Sequence, residues 1–577
     1  MSVWTRLVAA VALGAASFIA TATAQEQTLP PIEAYTSGAR VSSVALSSDG
    51  RRLAVITATY TLNGDRAALQ VVNLESNEIE RAFETAEGAL IGSAFWINDR
   101  QIGFMAWPSM RIVDGRNRGN EGRGFGLYDV NTGDQRLIQT AHFGAPYWLP
   151  GDPTAVRFVG YTYDSYRGSY NWASGLGRGV GVIRADLQGG GNRRIAYVST
   201  DEDKPTVDML FNDDGDLLAR VDTEEGSNRW RFIAYEGGEL RTVLEGVDEI
   251  GRAPDLVGVL ADGRWAIINR NDNEDRWRMY AFDRNTNQFE AIASHESYDV
   301  SVGIRDRWTN RVVGASWTED FPRQQFFDPA LQAAYDHLQG VFADGYAFIQ
   351  SWSRDRSRMV VFGETPEDAG TYYVFDAGPR TLRVVRRTYP EITGVAALGN
   401  RQAITYRAQD GTRIPAYLTL PVNAERNVPL VVMPHGGPHV RDDFTFDPMA
   451  SFLASRGYAV LQPNYRGSTG YGYAYFHAGR GNWGDGVMQT DVTDGVGALV
   501  RAGIADPNRI CIMGGSYGGY AALAGATLTP DLYRCAISLF GVSDVLRMLD
   551  ETALASRGGP GSLASDWWKL SIGDRRA

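Results

Sequence analysis

The sequence predicts a β-propeller followed by an α/β-hydrolase domain, and three observations carry this prediction. Residues 41 to about 395 repeat a pattern of turn and short apolar strands with a period of about 40–50 residues, which is typical of four-stranded propeller blades. From Gly399 onward strands alternate with helices, which predicts a parallel sheet with helices on both faces. Residues 514–518 read Gly-Gly-Ser-Tyr-Gly between a predicted strand and a predicted helix.

The length and charge of the chain set the first limits on its function. A chain of 577 residues is too long for one hydrophobic core, so two or more domains are expected. The 68 acidic and 56 basic side chains give a net charge of -12, which disfavours nucleic acids and anionic membrane surfaces as partners. After residue 24 no apolar run is long enough to span a membrane.

The N-terminus has the pattern of an export signal. Arg6 precedes an apolar stretch at residues 7–22, and Ala22-Thr23-Ala24 fits a cleavage site. We interpret residues 1–24 as a removed signal peptide and residues 25–40 as an N-terminal segment. This predicts a periplasmic or secreted protein, and an uncleaved membrane anchor is the alternative.

The propeller region, residues 41–395, divides into about seven units. Turns such as Asp49-Gly50 and Asp262-Gly263 precede short apolar strands in several of them. The units are 41–83, 92–140, 147–198, 207–246, 256–295, 300–342 and 346–386. Because the repeats are degenerate, six or eight blades are alternatives, as is a pair of β-sandwiches. The helical pattern of residues 329–338 fits the repeat poorly and is interpreted as an insertion in the sixth unit.

The hydrolase region, residues 396–577, shows a different periodicity. Apolar runs predict strands at 416–421, 428–433 and 458–463. Patterns typical of helices cover residues 448–456, 490–502 and 517–529. No long flexible linker separates this region from the propeller, so the boundary is placed near residue 396.

Ser516 lies at the centre of the G-x-S-x-G pattern of a nucleophile elbow. The sharp turn forces the serine into strained backbone angles, and Gly514 and Gly518 let the strand and the helix pass close to each other. The hydroxyl then stands above the sheet at the positive end of the helix. We predict that Ser516 is a catalytic nucleophile; a purely structural turn is the alternative.

A nucleophilic serine needs donors for the oxyanion that its attack creates. The backbone N–H of Tyr517, the residue after the nucleophile, is the first expected donor. The second is expected in the glycine-rich loop 434–438, which follows a predicted central strand, and we assign it to the N–H of Gly437. A simple turn at the end of the strand is the alternative for that loop.

A glycine- and aromatic-rich loop at residues 464–472 follows the next predicted strand. Ligands of open α/β sheets bind at the carboxyl ends of strands, so Tyr465 in this loop is a candidate for contact with substrate. Arg466 has two equal interpretations, one in the pocket and one paired with a carboxylate. We expect Asp491 or Asp494 to cap the N-terminus of the following helix.

The two cysteines of the chain, Cys511 and Cys535, fall in predicted strands beside the elbow. An exported protein could pair them, but neighbouring buried parallel strands rarely offer the geometry of a disulfide. Two buried free thiols are therefore the favoured interpretation. The sequence has no Cys/His spacing typical of a zinc site, and we expect no cofactor.

The ordered motifs HGGP, NYRGSTGYG and GGSYGGY behind a propeller resemble the prolyl oligopeptidase family of serine peptidases. Acylaminoacyl peptidases and bacterial dipeptidyl peptidases are the nearest branches. The resemblance implies a nucleophile at Ser516 and oxyanion donors at Gly437 and Tyr517. It is strong between residues 400 and 545, and before residue 400 it is limited to architecture.

Two departures from the family pattern concern the substrate pocket. Prolyl oligopeptidases and dipeptidyl peptidases carry a tyrosine hydroxyl in the oxyanion hole at the position of His435, where this chain has none. Proline-preferring members place aromatic residues in the loop where this chain has Val545 and Met548. The resemblance therefore implies a wider aliphatic pocket formed by these two residues.

The family places a catalytic Asp and His downstream of the nucleophile, whereas all six histidines of this chain precede Ser516. The resemblance thus implies an incomplete hydrolase domain with little or no turnover. His435 and His439 lie in the oxyanion loop and are not favoured as the base. An incomplete sheet would leave strand 535–540 as an uncovered apolar edge, which predicts poor solubility.

Three functions from different classes fit these features. The leading hypothesis is a serine peptidase that acts on short peptides, with the propeller as a size gate. An esterase on the same elbow and a non-catalytic propeller binding module are the alternatives. Exopeptidase and endopeptidase activity both stay open, as does the oligomeric state.

Overall fold

A computed structural model shows the architecture of the chain. It describes residues 29–36, 41–59, 66–85, 89–108, 112–113, 116–117, 124–139, 154–161, 180–187, 192–198, 206–224, 229–247, 253–271, 273–392, 394, 398–422, 426–555, 568–569 and 571–573. The predicted signal peptide at 1–24 and the predicted domain boundary at 396 lie outside these residues, so both stay predictions.

The N-terminal half forms a β-propeller whose described strands fall into seven antiparallel units. The strands of blades 1–4 are Val41–Leu46, Arg52–Thr59, Arg66–Asn73, Ile79–Glu84; Ala89–Trp96, Gln101–Pro108, Gly124–Asp129, Gln135–Gln139; Ala155–Tyr161, Val180–Asp186, Asn192–Val198; Thr206–Phe211, Leu217–Glu224, Arg229–Glu236 and Glu239–Val247. The strands of blades 5–7 are Asp255–Val259, Trp265–Asn269, Arg278–Asp283, Gln288–Ala293; Val302–Arg305, Val312–Thr318, Pro322–Phe326; Tyr346–Trp352, Arg358–Thr365, Asp368–Asp376 and Thr381–Arg387. These seven units confirm the seven repeats predicted from the sequence.

Contacts of the backbone join blade 1 to blade 2 and to blade 7. One parallel pairing, Arg66 with Ala89, links blades 1 and 2 into a continuous sheet, and a small hairpin of Ile112–Val113 and Arg116–Asn117 extends from blade 2. The first and last blades also meet, because the N–H of Leu46 donates to Ser351 Oγ at 3.0 Å. The ring therefore closes between blades 1 and 7.

The helix Pro329–Val341 follows the third strand of blade 6. Asp328 caps its N-terminus by accepting from the N–H groups of Ala330 and Leu331, as expected for an acidic N-cap before proline. Its apolar face, which includes Leu331 and Leu338, is buried in the propeller core. This confirms the helical insertion predicted in the sixth unit.

The C-terminal half forms a six-stranded mixed sheet covered by helices. Its strands are Asn400–Arg407, Arg413–Leu420, Val428–Val432, Ala459–Pro463, Ala505–Gly515 and Cys535–Leu539. The helices of this half are Pro448–Ser455, Tyr473–His477, Val487–Arg501, Tyr517–Leu528 and Val545–Ala555, and a short helix Ile32–Thr36 packs on the first of them. The first two strands run antiparallel and the last four parallel, as in α/β-hydrolases.

The strand Cys535–Leu539 lies at the edge of the described sheet, next to the strand that leads to Ser516. Ile537 and Leu539 are exposed, and Phe540 is 96% exposed. The prediction of an uncovered apolar edge here is confirmed for the described part of the chain.

The same edge overturns the prediction of free thiols, because Cys511 and Cys535 form a disulfide. The two residues are direct partners in parallel register, and their Cα atoms are 4.7 Å apart. That spacing lies within the range that a disulfide spans, which sequence alone did not reveal.

Candidate active site

The elbow at Ser516 has the predicted geometry. Ser516 lies between the strand Ala505–Gly515 and the helix Tyr517–Leu528 with φ = 54° and ψ = -118°, a conformation that L-residues rarely adopt. Its N–H donates to the carbonyl of Leu539 on the edge strand at 2.9 Å. This hydrogen bond joins the turn at Ser516 to the edge strand.

Glycines allow the close packing that this turn needs. A Cβ atom at Gly514 would overlap the backbone of Gly518, and a Cβ atom at Gly518 would overlap the carbonyl of Pro434. The strand, the helix and the loop 434–438 therefore meet at van der Waals distance, which no larger residue at these positions permits.

The predicted oxyanion loop lies beside the serine. It follows the central strand Val428–Val432, and Gly437 has φ = 107°, which favours glycine. A Cβ atom placed on Gly436 would lie 3.6 Å from Ser516 Cβ. The structure thus brings the two predicted halves of the site together.

Tyr517 contributes its backbone at the start of the helix and its side chain to the core. Its ring is almost fully buried and packs against Trp483, Tyr465 and Tyr520. The N–H of Tyr517 belongs to the first turn of the helix, where N–H groups have no partner within the helix.

Tyr465 is placed differently from the expected contact with substrate. It has no exposed surface; its ring stacks on His435 with centroids 4.3 Å apart, and its hydroxyl donates to the His435 carbonyl at 2.8 Å. A side chain buried in this way supports the oxyanion loop from behind instead of meeting a ligand.

Val545 and Met548 lie three residues apart on the helix Val545–Ala555. Both are half-buried and pack against the core of the hydrolase domain. Their spacing places them on one helix face, and their predicted role in the substrate pocket stays a prediction.

Arg466 and Asp491 form a buried ion pair. Asp491 has no exposed surface and accepts from the backbone N–H, Nε and Nη2 of Arg466 at 2.9, 2.9 and 2.6 Å. These hydrogen bonds, with help from Asp410, hold the pKa of the Arg466 guanidinium above its usual value. Of the two interpretations of Arg466, pairing with a carboxylate is the one observed.

The expectation that Asp491 or Asp494 caps a helix is wrong. The helix begins at Val487 after Gly486, so both carboxylates lie inside it. Asp494 accepts from the N–H of Gln409 at 2.7 Å, which joins the helix to the turn between the first two strands of the sheet. The helix starts earlier than its apolar pattern indicated.

The ring nitrogens of His435 and His439, the two histidines near the elbow, lie at hydrogen-bonding distance from groups other than Ser516. Burial lowers the pKa of His435 to about 4, and its ring nitrogens lie 2.8 Å from Gly436 O and from Ser468 Oγ. Burial also lowers the pKa of His439, whose Nε2 lies 2.8 Å from Ser571 Oγ. Neither imidazole is therefore placed to act as the base for Ser516.

Propeller loops hold the loops that surround the site. Arg441 donates to the carbonyls of Thr318 and Glu319 in blade 6 at 2.9 and 2.6 Å. Asp299, which precedes blade 6, accepts from the N–H of Gly472 at 3.1 Å. The loops after two neighbouring strands of the hydrolase sheet are thus fixed by directional contacts from the propeller.

The described residues contain no group of three or more His, Cys, Asp and Glu side chains arranged to hold a metal ion. None of the helices in the described part of the chain has the length and apolar character that a membrane-spanning segment requires.

Parts of the sequence are similar to known proteins. Residues 444–563 match the sequence profile of the prolyl oligopeptidase family. The chain is 31% identical over 302 residues to dipeptidyl aminopeptidase BIII of Pseudoxanthomonas mexicana. The aligned region covers 51% of this chain and 43% of that protein. It is 33% identical over 256 residues to dipeptidyl peptidase family member 6 of Caenorhabditis elegans. This second aligned region covers 40% of this chain and 34% of that protein.

The fold is similar to that of a solved peptidase structure. The structure aligns with that of the Pyrococcus horikoshii acylaminoacyl peptidase with a TM-score of 0.63 and 17% sequence identity, over 95% of this chain and 83% of that chain. This likeness shows the fold, which is a propeller followed by an α/β-hydrolase domain.

In sequence, the similarity to the prolyl oligopeptidase family is carried by residues 444–563, and both sequence relatives are named as a dipeptidyl aminopeptidase or a dipeptidyl peptidase family member. The matched region spans less than half the length of the two curated relatives, 43% and 34%.

Proposed function

We propose that the protein is a serine peptidase that hydrolyses short peptides through an acyl-enzyme on Ser516. The observation that carries this proposal is the positive φ of 54° at Ser516. Such strain costs about 1–3 kcal/mol and clusters at active sites, which favours a nucleophile over a structural turn or a non-catalytic module. The packed glycines around the turn explain how the strain is maintained.

In this mechanism Ser516 Oγ attacks the scissile carbonyl carbon while its proton passes to a general base. The N–H groups of Gly437 and Tyr517 stabilise the oxyanion of the tetrahedral intermediate. The C–N bond then breaks, the amine leaves with a proton, and water hydrolyses the acyl-enzyme. The proposal assigns no base, because His435 and His439 are bonded to other groups.

Short peptides are the proposed substrates because the sequence relatives are a dipeptidyl aminopeptidase and a dipeptidyl peptidase family member. Val545 and Met548 are proposed to form an aliphatic pocket wall. The burial of Tyr465 supports a positioning role instead of contact with substrate. The propeller is proposed to limit substrate size. Two contacts between the domains support this: Arg441 of the hydrolase domain donates to the propeller, and Asp299 of the propeller accepts from the hydrolase domain.

We also propose that the protein acts outside the cytoplasm, in the periplasm or as a secreted enzyme. The signal-like residues 1–24 motivate this location. The disulfide between Cys511 and Cys535 supports it, because such bonds persist in oxidising compartments.

The test compares dipeptide 4-nitroanilides with acyl esters of similar size on the full-length protein. We expect peptide hydrolysis, and we expect Ser516→Ala to reduce kcat by about 10⁴–10⁶-fold. Ser76→Ala, on an exposed propeller turn, serves as the matched control. Cleavage of esters without peptides would favour the esterase, and an unchanged rate in Ser516→Ala would exclude both enzymes.

A further inference from the structure

Arg307 lies at the end of the propeller axis that faces away from the hydrolase domain. The first strands of several neighbouring blades contact one another, as expected for strands that surround the central channel of a propeller. In blade 6 this strand is Val302–Arg305. It begins close to Asp299, which accepts from the N–H of Gly472 in the hydrolase domain, and it leads into the turn that contains Arg307. The turn is therefore at the far end of the channel.

The side chain of Arg307 crosses the channel. Its guanidinium carbon lies 4.2 Å from the centroid of the Phe95 ring, a distance typical of a cation–π contact. Phe95 belongs to the first strand of blade 2, Ala89–Trp96, and blades 7 and 1 lie between blades 6 and 2 in the closed ring. A contact between two blades that are not neighbours has to pass through the central space. Arg307 therefore spans the far end of the channel.

The surroundings of Arg307 agree with this position. Burial, with a smaller contribution from the positive charge of Arg305, lowers the pKa of the Arg307 guanidinium to about 10. The residue nevertheless has exposed surface. A side chain that protein atoms surround and that solvent still reaches lies in an internal space open to solvent, such as the channel of a propeller. A ligand that enters the channel can therefore reach the guanidinium.

The carboxylate next to Arg307 in sequence is bonded to other groups. Asp306 Oδ1 accepts from Trp352 Nε1 at 3.0 Å, and Oδ2 accepts from Arg356 Nη2 at 2.9 Å. Within the described part of the chain, no hydrogen bond or ion pair involves the Arg307 guanidinium. The ring of Phe95 attracts the charge but has no oxygen or nitrogen atom to accept the five guanidinium N–H groups.

The arginines around Arg307 show the pairing that it lacks. Arg311 donates to both carboxylate oxygens of Asp213 at 2.8 and 2.5 Å, and Arg356 pairs with Asp306. An enclosed cation without an anion costs free energy, and binding of an anion offsets that cost. A carboxylate fits the planar guanidinium because two parallel N–H groups can donate to its two oxygens. Peptides carry this group at their C-terminus and on acidic side chains.

We propose that Arg307 forms a carboxylate-binding site in the propeller channel, which binds the C-terminal or a side-chain carboxylate of a peptide. The choice of a peptide as the ligand rests on the proposed function, whereas the site itself is independent of Ser516. An incoming carboxylate accepts from the guanidinium N–H groups and neutralises the enclosed charge. The channel thereby distinguishes peptides by the negative charge that they carry.

The test measures peptide binding to the full-length Ser516→Ala protein by isothermal titration calorimetry, so that the probes are not cleaved. The first probe is tetra-alanine with a free C-terminal carboxylate, and the second is its C-terminal amide. The third is the same amide with glutamate in place of the last alanine. The second and third probes separate a C-terminal carboxylate from one on a side chain.

We expect the free acid to bind at least about ten times more tightly than the amide. Arg307→Gln, which removes the charge, should weaken binding of the acid by about 10–100-fold and leave the amide unchanged. Arg307→Lys keeps the charge without the planar fork and should bind with intermediate affinity. Arg51→Gln, on an exposed turn of blade 1, is the matched control and should bind as the parent protein does. Tight binding of the glutamate probe would extend the site to side-chain carboxylates.

Thermal unfolding of the same variants separates binding from a structural role. Because Arg307→Gln removes an enclosed cation that has no anion, its Tm should equal or exceed that of the parent protein. A lower Tm with unchanged affinity for the acid would show that Arg307 only supports the propeller, and would overturn the site. Equal affinities of the acid and the amide would overturn it as well. The proposed function fails on a different result, which is peptide hydrolysis by the Ser516→Ala protein.

Discussion

Buried carboxylates in the interior of the hydrolase domain and at its interface with the propeller are held in different ways. In the interior, Asp491 receives the backbone N–H and two guanidinium N–H groups of Arg466. At the interface, Glu364 of blade 7 accepts from the backbone N–H of Phe446 at 2.9 Å and lies 3.5 Å from the hydroxyl of Tyr346. One carboxylate has a matched cation, and the other is hydrogen-bonded only by neutral groups.

The two arrangements differ in the pKa values of the groups involved. The hydrogen bonds that Arg466 donates to Asp491 raise the pKa of the Arg466 guanidinium above its usual value, so Arg466 stays charged. Burial, reinforced by Asp443 and opposed by Arg401, raises the pKa of Glu364 to about 7. Burial likewise raises the pKa of Asp442, in the loop after the oxyanion loop, to about 7. Glu364 and Asp442 therefore have pKa values near neutral pH, whereas the guanidinium that pairs with Asp491 stays charged there.

The largest predicted effect breaks the interior pair. Asp491→Ala leaves a buried guanidinium with only the partly exposed Asp410, and we expect a loss of about 3–5 kcal/mol in the free energy of unfolding of the hydrolase domain. Denaturant titration measures it. As a matched control, the double variant Arg466→Met with Asp491→Leu replaces the pair by apolar side chains and is expected to lose much less. Equal losses in both would contradict a charge-based role.

The next largest predicted effect concerns the disulfide, whose two cysteines both lie in the hydrolase domain. Cys511 and Cys535 are 24 positions apart in the sequence and the elbow lies between them, so the bond is expected to contribute about 3 kcal/mol by constraining the unfolded chain. Addition of reductant should therefore lower the Tm of the hydrolase domain. The double Cys→Ala variant should show the lower Tm with and without reductant. A Tm unaffected by reductant in the native protein would rule out this contribution.

At the interface, Glu364→Gln should change the pH dependence of stability. The folded protein keeps the Glu364 proton up to about pH 7, whereas the ordinary pKa of a glutamate side chain is 4.5. Stability contributed by this group is thus present at low pH and lost as pH rises from about 4.5 to about 7. The glutamine variant should flatten that fall and be at least as stable as the native protein at pH 8.

Urea titrations at pH 5 to 8 on both proteins give this comparison. The exposed Glu367→Gln in the same blade controls for the change in net charge. A fall in stability of equal steepness in native and Glu364→Gln proteins would show that Glu364 is not the titrating group.

The smallest predicted effect removes an interdomain cap. Asp275 of the propeller accepts from the N–H of Ala474 at 2.7 Å, and its carbonyl accepts from the N–H of Tyr473 at the start of a hydrolase helix. Asp275→Ala should weaken the attachment of this short helix to the propeller by about 1 kcal/mol, which is the usual effect of losing an N-cap. We expect faster proteolysis near residues 470–477 with the Tm of each domain unchanged. A fall in propeller Tm would instead indicate a role within the propeller.

Local sequence patterns were sufficient for the parts of the molecule built by neighbouring residues. The elbow around Ser516 and the loop of Gly437 are defined by glycines next to apolar strands, so their geometry follows from short segments. The seven repeats were recognised because each blade carries its own turns and apolar strands.

The errors concern contacts between segments distant in sequence and, for Asp491 and Asp494, the residue at which a helix begins. The Cys511–Cys535 bond depends on the register between two strands, and the Asp491–Arg466 pair depends on how a helix packs against a loop. Tyr465 was assigned to the substrate because its loop follows a strand, yet its ring points under that loop onto His435. Register and packing direction are tertiary properties that local periodicity does not encode.

Covalent labelling of the full-length protein with a fluorophosphonate, followed by mass spectrometry of the peptide that contains residue 516, tests the central claim most directly. The native protein and Ser76→Ala should carry one adduct on Ser516 and lose peptidase activity as it forms. Ser516→Ala should carry none. An adduct on a different residue, or full peptidase activity after complete modification of Ser516, would contradict a catalytic role for this serine.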